Sequence, residues 1–246
     1  MRNIKLTISY DGTDFNGWQV QPNGRTVQEE VEKAIGKVFG KPHRLYAASR
    51  TDAGVHAERQ VANFKTGLSS TIPTGKIPAA LNAYLPDEVA IKSAEEVPPG
   101  FHSRFDAKSK HYRYYIINSR QRDPFGEKYT WRVPYELDVS LMKKEAKVLV
   151  GRHDFKSFQA KDKRERHSVR RIFYINVAKK KSFLTIDIEA DGFLFNMVRN
   201  IMGTLVDIGR GYLPGGSMRS ILKKKDRTQA GPTAPPKGLF LVDVKY

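Results

Sequence analysis

The sequence predicts an α+β fold, with many strands and few helices. Three observations carry this. Ile4, Leu6, Ile8 and Tyr10 alternate with polar residues, as on a half-buried strand. Val27, Val31, Ala34, Ile35 and Val38 recur at helical spacing, and Gly40 with Pro42 ends the run. Several later runs are short, rich in aromatic and β-branched residues, and bounded by turn residues.

Taken in order, the first strand stops at Asp11-Gly12-Thr13-Asp14. Thr26-Val27-Gln28-Glu29 then reads as a capping box, Thr26 accepting from the backbone and Glu29 reaching back. His43 to Ala47 reads as a strand, and Gln60 to Thr66 as another around Val61, Ala62 and Phe64. A short helix is expected around Pro78 to Tyr84, then a strand over Val89 to Val97. Pro98-Pro99-Gly100 is the expected boundary between a first half, 1–100, and a second, 101–246, that repeats its plan. In the second half Lys110 to Asn118 reads as a strand and Thr130 to Val133 as another. Ser140 to Val150 reads as a helix closed by Gly151. Val169 to Val177 and Phe183 to Ala190 form a hairpin around Lys179-Lys180-Lys181. Met197, Ile201, Leu205 and Ile208 mark a helix ended by Gly209 and Gly211, and Leu239 to Val244 a closing strand.

The chain has 246 residues and is 39% hydrophobic, enough for a real core. Lysine and arginine number 43 against 26 acidic residues, an excess of +17 that points to a polyanionic partner, nucleic acid first. No long apolar span or lipidation signal supports a membrane partner instead. There are no cysteines, which excludes disulfides and any enzyme that attacks its substrate with a cysteine thiolate. The N-terminus begins as a strand with no apolar signal core, so a cytoplasmic protein is expected. Basic clusters recur at Lys161 to Arg166, Arg170-Arg171, Lys179 to Lys181 and Lys223 to Lys225, and read as phosphate contacts. There is no P-loop, no strand–GxGxxG–helix unit and no GxSxG elbow.

One stretch concentrates chemistry. Ala48-Ser49-Arg50-Thr51-Asp52-Ala53-Gly54-Val55-His56-Ala57 packs an arginine, a carboxylate, a glycine and a histidine between two apolar runs. It lacks helical periodicity, and Gly54 suits a tight turn, so Asp52 is expected on a loop between strands. Taken alone, an Asp-x-Gly turn bonding its own backbone would explain it. Arg50, two residues earlier, is on spacing alone as fitting for a nucleotide contact as for a solvated charge. His56 suits an RNA contact or a backbone bond equally, and no second ligand at useful spacing supports a metal.

The string SRTDAGVHA closely resembles the active-site motif of the tRNA pseudouridine synthase A family, usually written GRTDAGVHA. Ser49 departs from the usual glycine. FHSRF, KHYRYY, HDFKSF and GFLFNMVRNIMGTLVDIGRG extend the resemblance over most of the chain, in the expected order. The resemblance implies a pseudouridine synthase fold, two halves each with a mainly antiparallel sheet and helices on one face, meeting at an active-site cleft. It implies an isomerase that converts uridine to pseudouridine at positions 38, 39 and 40 of the tRNA anticodon stem-loop. It further implies a homodimer with one tRNA spanning both subunits, and no cofactor.

Asp52 matches the family's catalytic aspartate, the nucleophile. Tyr112 matches the family tyrosine that stacks on the target base and is a candidate for taking the proton from C5. Arg50 and His56 fall in the substrate-binding motif. On helical grounds Arg199 lies on a polar face with Gly203 and Asp207; FNMVRN resembles the family pattern in which that arginine pairs with the catalytic aspartate. Arginine suits the role, since its planar fork binds a carboxylate at two points and stays charged. Two rival readings are a uridine isomerase acting on other RNA positions and a non-catalytic RNA-binding protein.

Overall fold

The computed structural model describes residues 1–67, 71–161 and 167–246. They are α+β and divide into two compact units, 1–108 with 240–246, and 109–239.

The first unit is built on β1 (Arg2–Tyr10), β3 (His56–Thr66), β4 (Val89–Val97) and β10 (Leu239–Lys245). β1 lies between β3 and β4, antiparallel to both. The far edge of β3 takes two partners: β2 (Tyr46–Ala47), antiparallel at Asn63 and Ala62, and β10, parallel at His56 and Ala57. Ile4, Leu6 and Ile8 are fully buried, as the alternation predicts. Val27, Val31, Ala34 and Ile35 of α1 (Val27–Phe39), and Ile77 and Leu81 of α2 (Ile77–Asn82), are buried in the same unit. The opposite side of β1 is closed too. Asn3 there bonds Asn63 of β3, and the pair binds the 98–103 backbone.

Two expectations change here. Thr26 does stand at the N-cap of α1 in extended backbone, but its hydroxyl makes no capping bond. The first helical N–H groups go elsewhere, Val27 N to Gly17 O and Gln28 N to Trp18 O. Glu29 pairs with Lys33 one turn on, at 2.7 Å. The strand expected over His43 to Ala47 shrinks to two residues, because Leu45 N donates to the Glu32 carboxylate at 2.9 Å and Leu45 O accepts from Gln28. Side chains of α1 thus take the groups a longer strand would use.

The second unit has β5 (Ser109–Asn118), β9 (Phe183–Ala190), β8 (Val169–Lys180) and β7 (Gly151–Asp154) in that order, all antiparallel. β6 (Trp131–Val133) joins β5 in parallel. The β8–β9 hairpin turns at Lys181, whose φ of 56° is left-handed. α3 (Val139–Lys147) is capped by Asp138, whose carboxylate accepts from Leu141 N at 2.8 Å. Gly151 does not close that helix; it opens β7, which the sequence reading missed. α5 (Ser217–Lys224) was missed as well. Its N-terminus is held by the buried Glu145 of α3, which accepts from Gly216 N and Met218 N at 2.8 and 3.0 Å. A carboxylate placed there satisfies orphan amides and complements the helix dipole.

α4 (Met197–Gly209) is the central helix, with every residue except Arg199 buried. The polar face expected through Arg199, Gly203 and Asp207 is therefore not solvated. A strap over residues 226–238 crosses it. A Cβ on Gly203 would stand 1.7 Å from Pro232 O. Gly231 N donates to Thr204 Oγ1 at 2.9 Å, and Arg227 ties the strap to Asn200 Oδ1 and to the Gly231 carbonyl.

Candidate active site

In the first unit the Asp52 loop is pinned from three sides. Trp18 N donates to Thr51 O at 3.1 Å and Gly54 N to Phe15 O at 3.3 Å. Beneath, Tyr10 Oη and Thr51 Oγ1 are 2.7 Å apart in the core. The fully buried Gln60 brackets Ser49, its Nε2 donating to Ser49 O at 2.8 Å and its Oε1 accepting from Ser49 N at 3.3 Å. The tight turn expected at Gly54 is present, with φ of 73°, and Val55 N donates back to Asp52 O.

The neighbouring backbone comes very close. A Cβ on Gly12 would lie 2.0 Å from Val55 O, and one on Gly17, at φ of 87°, 2.7 Å from Thr51 O. Only glycine admits both the space and the left-handed backbone at position 17. Asp52 is half-buried and Arg50 exposed. His56 is 1% exposed, its ring stacked on Phe240 at 4.5 Å. Its Nδ1 lies 3.1 Å both from Gly12 N and from Asp11 Oδ1. That oxygen already accepts from Thr13 N and Thr13 Oγ1, so we assign the Nδ1 lone pair to Gly12 N–H. His56 thus fixes the turn that abuts the loop rather than presenting its ring to solvent. Tyr10, Gly12, Gly17, Trp18 and Gln60 were not singled out from sequence. The signal available was the glycine- and aromatic-rich stretch Tyr10 to Trp18, which has no period of its own.

In the second unit the Tyr112-Arg113-Tyr114-Tyr115 run divides by face. Tyr112 is buried at 5%, edge-on to Phe193 at 5.2 Å. Tyr114 donates to Pro235 O at 2.6 Å, and burial pushes its phenol well above the ordinary range, partly opposed by the charge of Arg199. It stays protonated and packs. Arg113 and His111 converge on Asp187, at 2.8 and 2.7 Å. Arg199 sits at the start of α4, behind Asn196 in left-handed backbone. Its Nε donates to Ala234 O at 2.8 Å, its Nη1 to Asn196 Oδ1 at 3.2 Å, and Ala234 N returns a bond to Arg199 O. The strap thereby fixes the direction of the guanidinium.

Of the basic clusters, Arg171, Lys179 to Lys181, Lys223 and Lys224 are exposed, while Lys225 pairs with Asp154 at 3.0 Å. Positions 162–166 of the first cluster lie outside the described residues. No group of His, Cys, Asp and Glu suited to a metal ion occurs among the described residues, and none of their helices is long and apolar enough to cross a membrane.

In the first unit backbone bonds and a buried contact hold the Asp52 loop, and in the second a strap orients the Arg199 guanidinium. The tRNA pseudouridine synthase family matches residues 6–106 and 146–246. Proteins called tRNA pseudouridine synthase A from a Thermoanaerobacter species (strain X514) and from Caldicellulosiruptor bescii are each 46% identical over 246 residues, covering all of both chains. Their counterpart from Caldicellulosiruptor saccharolyticus is 47% identical over the same span. The chain belongs to the tRNA pseudouridine synthase family, whose members are isomerases.

Proposed function

We propose that this protein isomerises uridine to pseudouridine at positions 38, 39 and 40 of the tRNA anticodon stem-loop, as a cytoplasmic homodimer with one tRNA spanning both subunits. The observation that carries the reading is Asp52 itself. It stands in the family motif, on a loop whose position is fixed by the buried Tyr10–Thr51 contact, the Gln60 bracket and the glycine contacts at 12 and 17.

The reaction breaks the bond from ribose C1′ to N1, turns the base, and joins C1′ to C5. The C5 hydrogen leaves as a proton and N1 gains one, so nothing is oxidised and no cofactor is required. Asp52 is the nucleophile in this proposal. Attack at C1′ displaces N1; addition to the ring loosens the glycosidic bond instead; either route returns the free carboxylate. The target base must leave its stack, so base flipping belongs to the reaction. Arg50, exposed two residues before Asp52, holds the flipped nucleotide or fills its place. Tyr112 supplies the stacking ring and takes the C5 proton. Arg199 pairs with the Asp52 carboxylate in the working enzyme and keeps it ionised. His56 acts behind the loop, through Gly12.

The test is to incubate unmodified tRNA transcripts with the protein and map pseudouridine chemically. Product confined to positions 38–40 supports the reading. Product at other uridines removes the site assignment, and no product removes the function.

A further inference from the structure

A second cluster of the first unit plays no part in the reaction above. Tyr46 of β2 stands 5.1 Å, centroid to centroid, from His102, and His102 stands 4.4 Å from Phe105. The Arg44 guanidinium lies 5.6 Å from the Tyr46 ring and that of Arg104 lies 5.7 Å from the Phe105 ring. Two cations thus bracket three rings in one continuous row. Phe105 is 74% exposed and Tyr46 37%. Both arginines are exposed. A phenylalanine left this open contributes little burial to the fold.

The turn that presents the row is nevertheless firmly built. Asp106 Oδ2 accepts from His102 N at 2.9 Å, and His102 O accepts from Phe105 N and Asp106 N. The fully buried Ser103 donates its N–H to the buried Asn63, and its carbonyl accepts from Tyr246 Oη. Asp106 is tied into the turn by these bonds, and the two arginines border the exposed rings with positive charge.

We propose that this row is a nucleotide platform. An unpaired nucleotide of the tRNA stacks on Phe105, and its flanking phosphates pair with Arg44 and Arg104. Aromatic faces accept any base, and cations on both sides suit a phosphate backbone rather than an apolar protein surface. β2 runs directly into the Asp52 loop, so the platform holds RNA on the unit that carries the proposed nucleophile. The inference rests on the tRNA reading and adds a contact site to it.

The experiment is filter binding of an unmodified tRNA transcript to the full-length protein over a salt series. Phe105→Ala and Phe105→Leu should each weaken binding about 5- to 150-fold at fixed salt, the equivalent of ~1–3 kcal/mol of stacking. Their salt slopes and thermal melts should match wild type, and Phe105→Trp should bind within about twofold of it. The double variant Arg44→Gln/Arg104→Gln should lower the salt slope by about 1.4–1.8, from roughly 0.7–0.9 per phosphate. Alanine and leucine variants within about twofold of wild type would overturn the platform. So would a leucine variant that binds normally, because the contact would then be apolar and not stacked. A changed sedimentation coefficient with unchanged tRNA affinity would assign the row to a contact between copies and overturn it too. Tritium release by wild type from C5-labelled transcript, run alongside, separates the two readings. Its absence removes the tRNA reaction, while the platform stands or falls on the binding data alone.

Discussion

At the residue scale, the central contrast is between tyrosines two positions apart. Tyr114 is committed to Pro235 O and held protonated by burial, so it cannot move protons. Tyr112, on the same strand, has its ring seated against Phe193. A phenol whose usual pKa is about 10 acts as a base at neutral pH only beside positive charge. Tyr112→Phe keeps the ring and removes the oxygen. We expect tRNA affinity near wild type and turnover strongly reduced, measured by filter binding and by single-turnover pseudouridine formation. Turnover near wild type would remove Tyr112 from proton transfer. His56 teaches the opposite lesson. A histidine in a functional motif is here almost wholly buried and serves a backbone turn.

At the element scale, α4 and its strap act as one piece. A methyl group on Gly203 has no room against Pro232 O. Overpacking of this kind costs about 1–3 kcal/mol. Gly203→Ala should lower the melting temperature by several degrees, at about 2–4 °C per kcal/mol for a chain of this size. It should also reduce turnover, because the displaced strap carries the Ala234 groups that orient Arg199. An unchanged melt with unchanged turnover would mean that the strap does not hold the arginine.

A second element-scale prediction concerns β5 and β9. Burial raises the Asp187 carboxyl, but hydrogen bonds from His111 and Arg113 more than offset it, so its pKa lies below the ordinary value. A carboxyl lowered in the folded state stabilises the protein above its unfolded pKa of about 3.9, and that contribution disappears as pH falls through the lower folded value. The gap in melting temperature between wild type and Asp187→Asn should therefore be largest near neutral pH and shrink below about pH 4. A gap that widens on acidification would contradict the shift.

The elements with a clear period were legible in the sequence: β1, α1, the β8–β9 hairpin and α4 all fall where alternation or helical spacing puts them. What could not be read was decided by distant groups. The Thr26 cap is displaced by Gly17 and Trp18, the strand before Ala47 by Glu32 and Gln28, and the face of α4 by a strap some 30 residues downstream. β7 and α5 are too short to show a period. For the candidate site, the motif exposed Asp52 and Arg50, but the backbone and side chains that fix the loop lie at 10–18 and 60, where only glycine content hinted at close approach.

At the scale of the whole molecule, the +17 balance should govern association. The logarithm of tRNA affinity should fall linearly with log salt, by roughly 0.7–0.9 per phosphate neutralised. Replacing Lys179 to Lys181 together should weaken all tRNAs alike and reduce the slope. Affinity that barely changes between low and moderate salt would contradict an electrostatic docking surface.

The central claim is that this chain makes pseudouridine through Asp52. Release of tritium from C5-labelled uridine in a tRNA transcript, compared between wild type and Asp52→Asn, tests it most directly. The variant keeps the side-chain shape and loses the nucleophile, since an amide is far less reactive than a carboxylate. Phosphate contacts and stacking remain, so filter binding on the same samples should change little. Steady tritium release is expected from wild type and none from the variant. Measurable release by Asp52→Asn would contradict it.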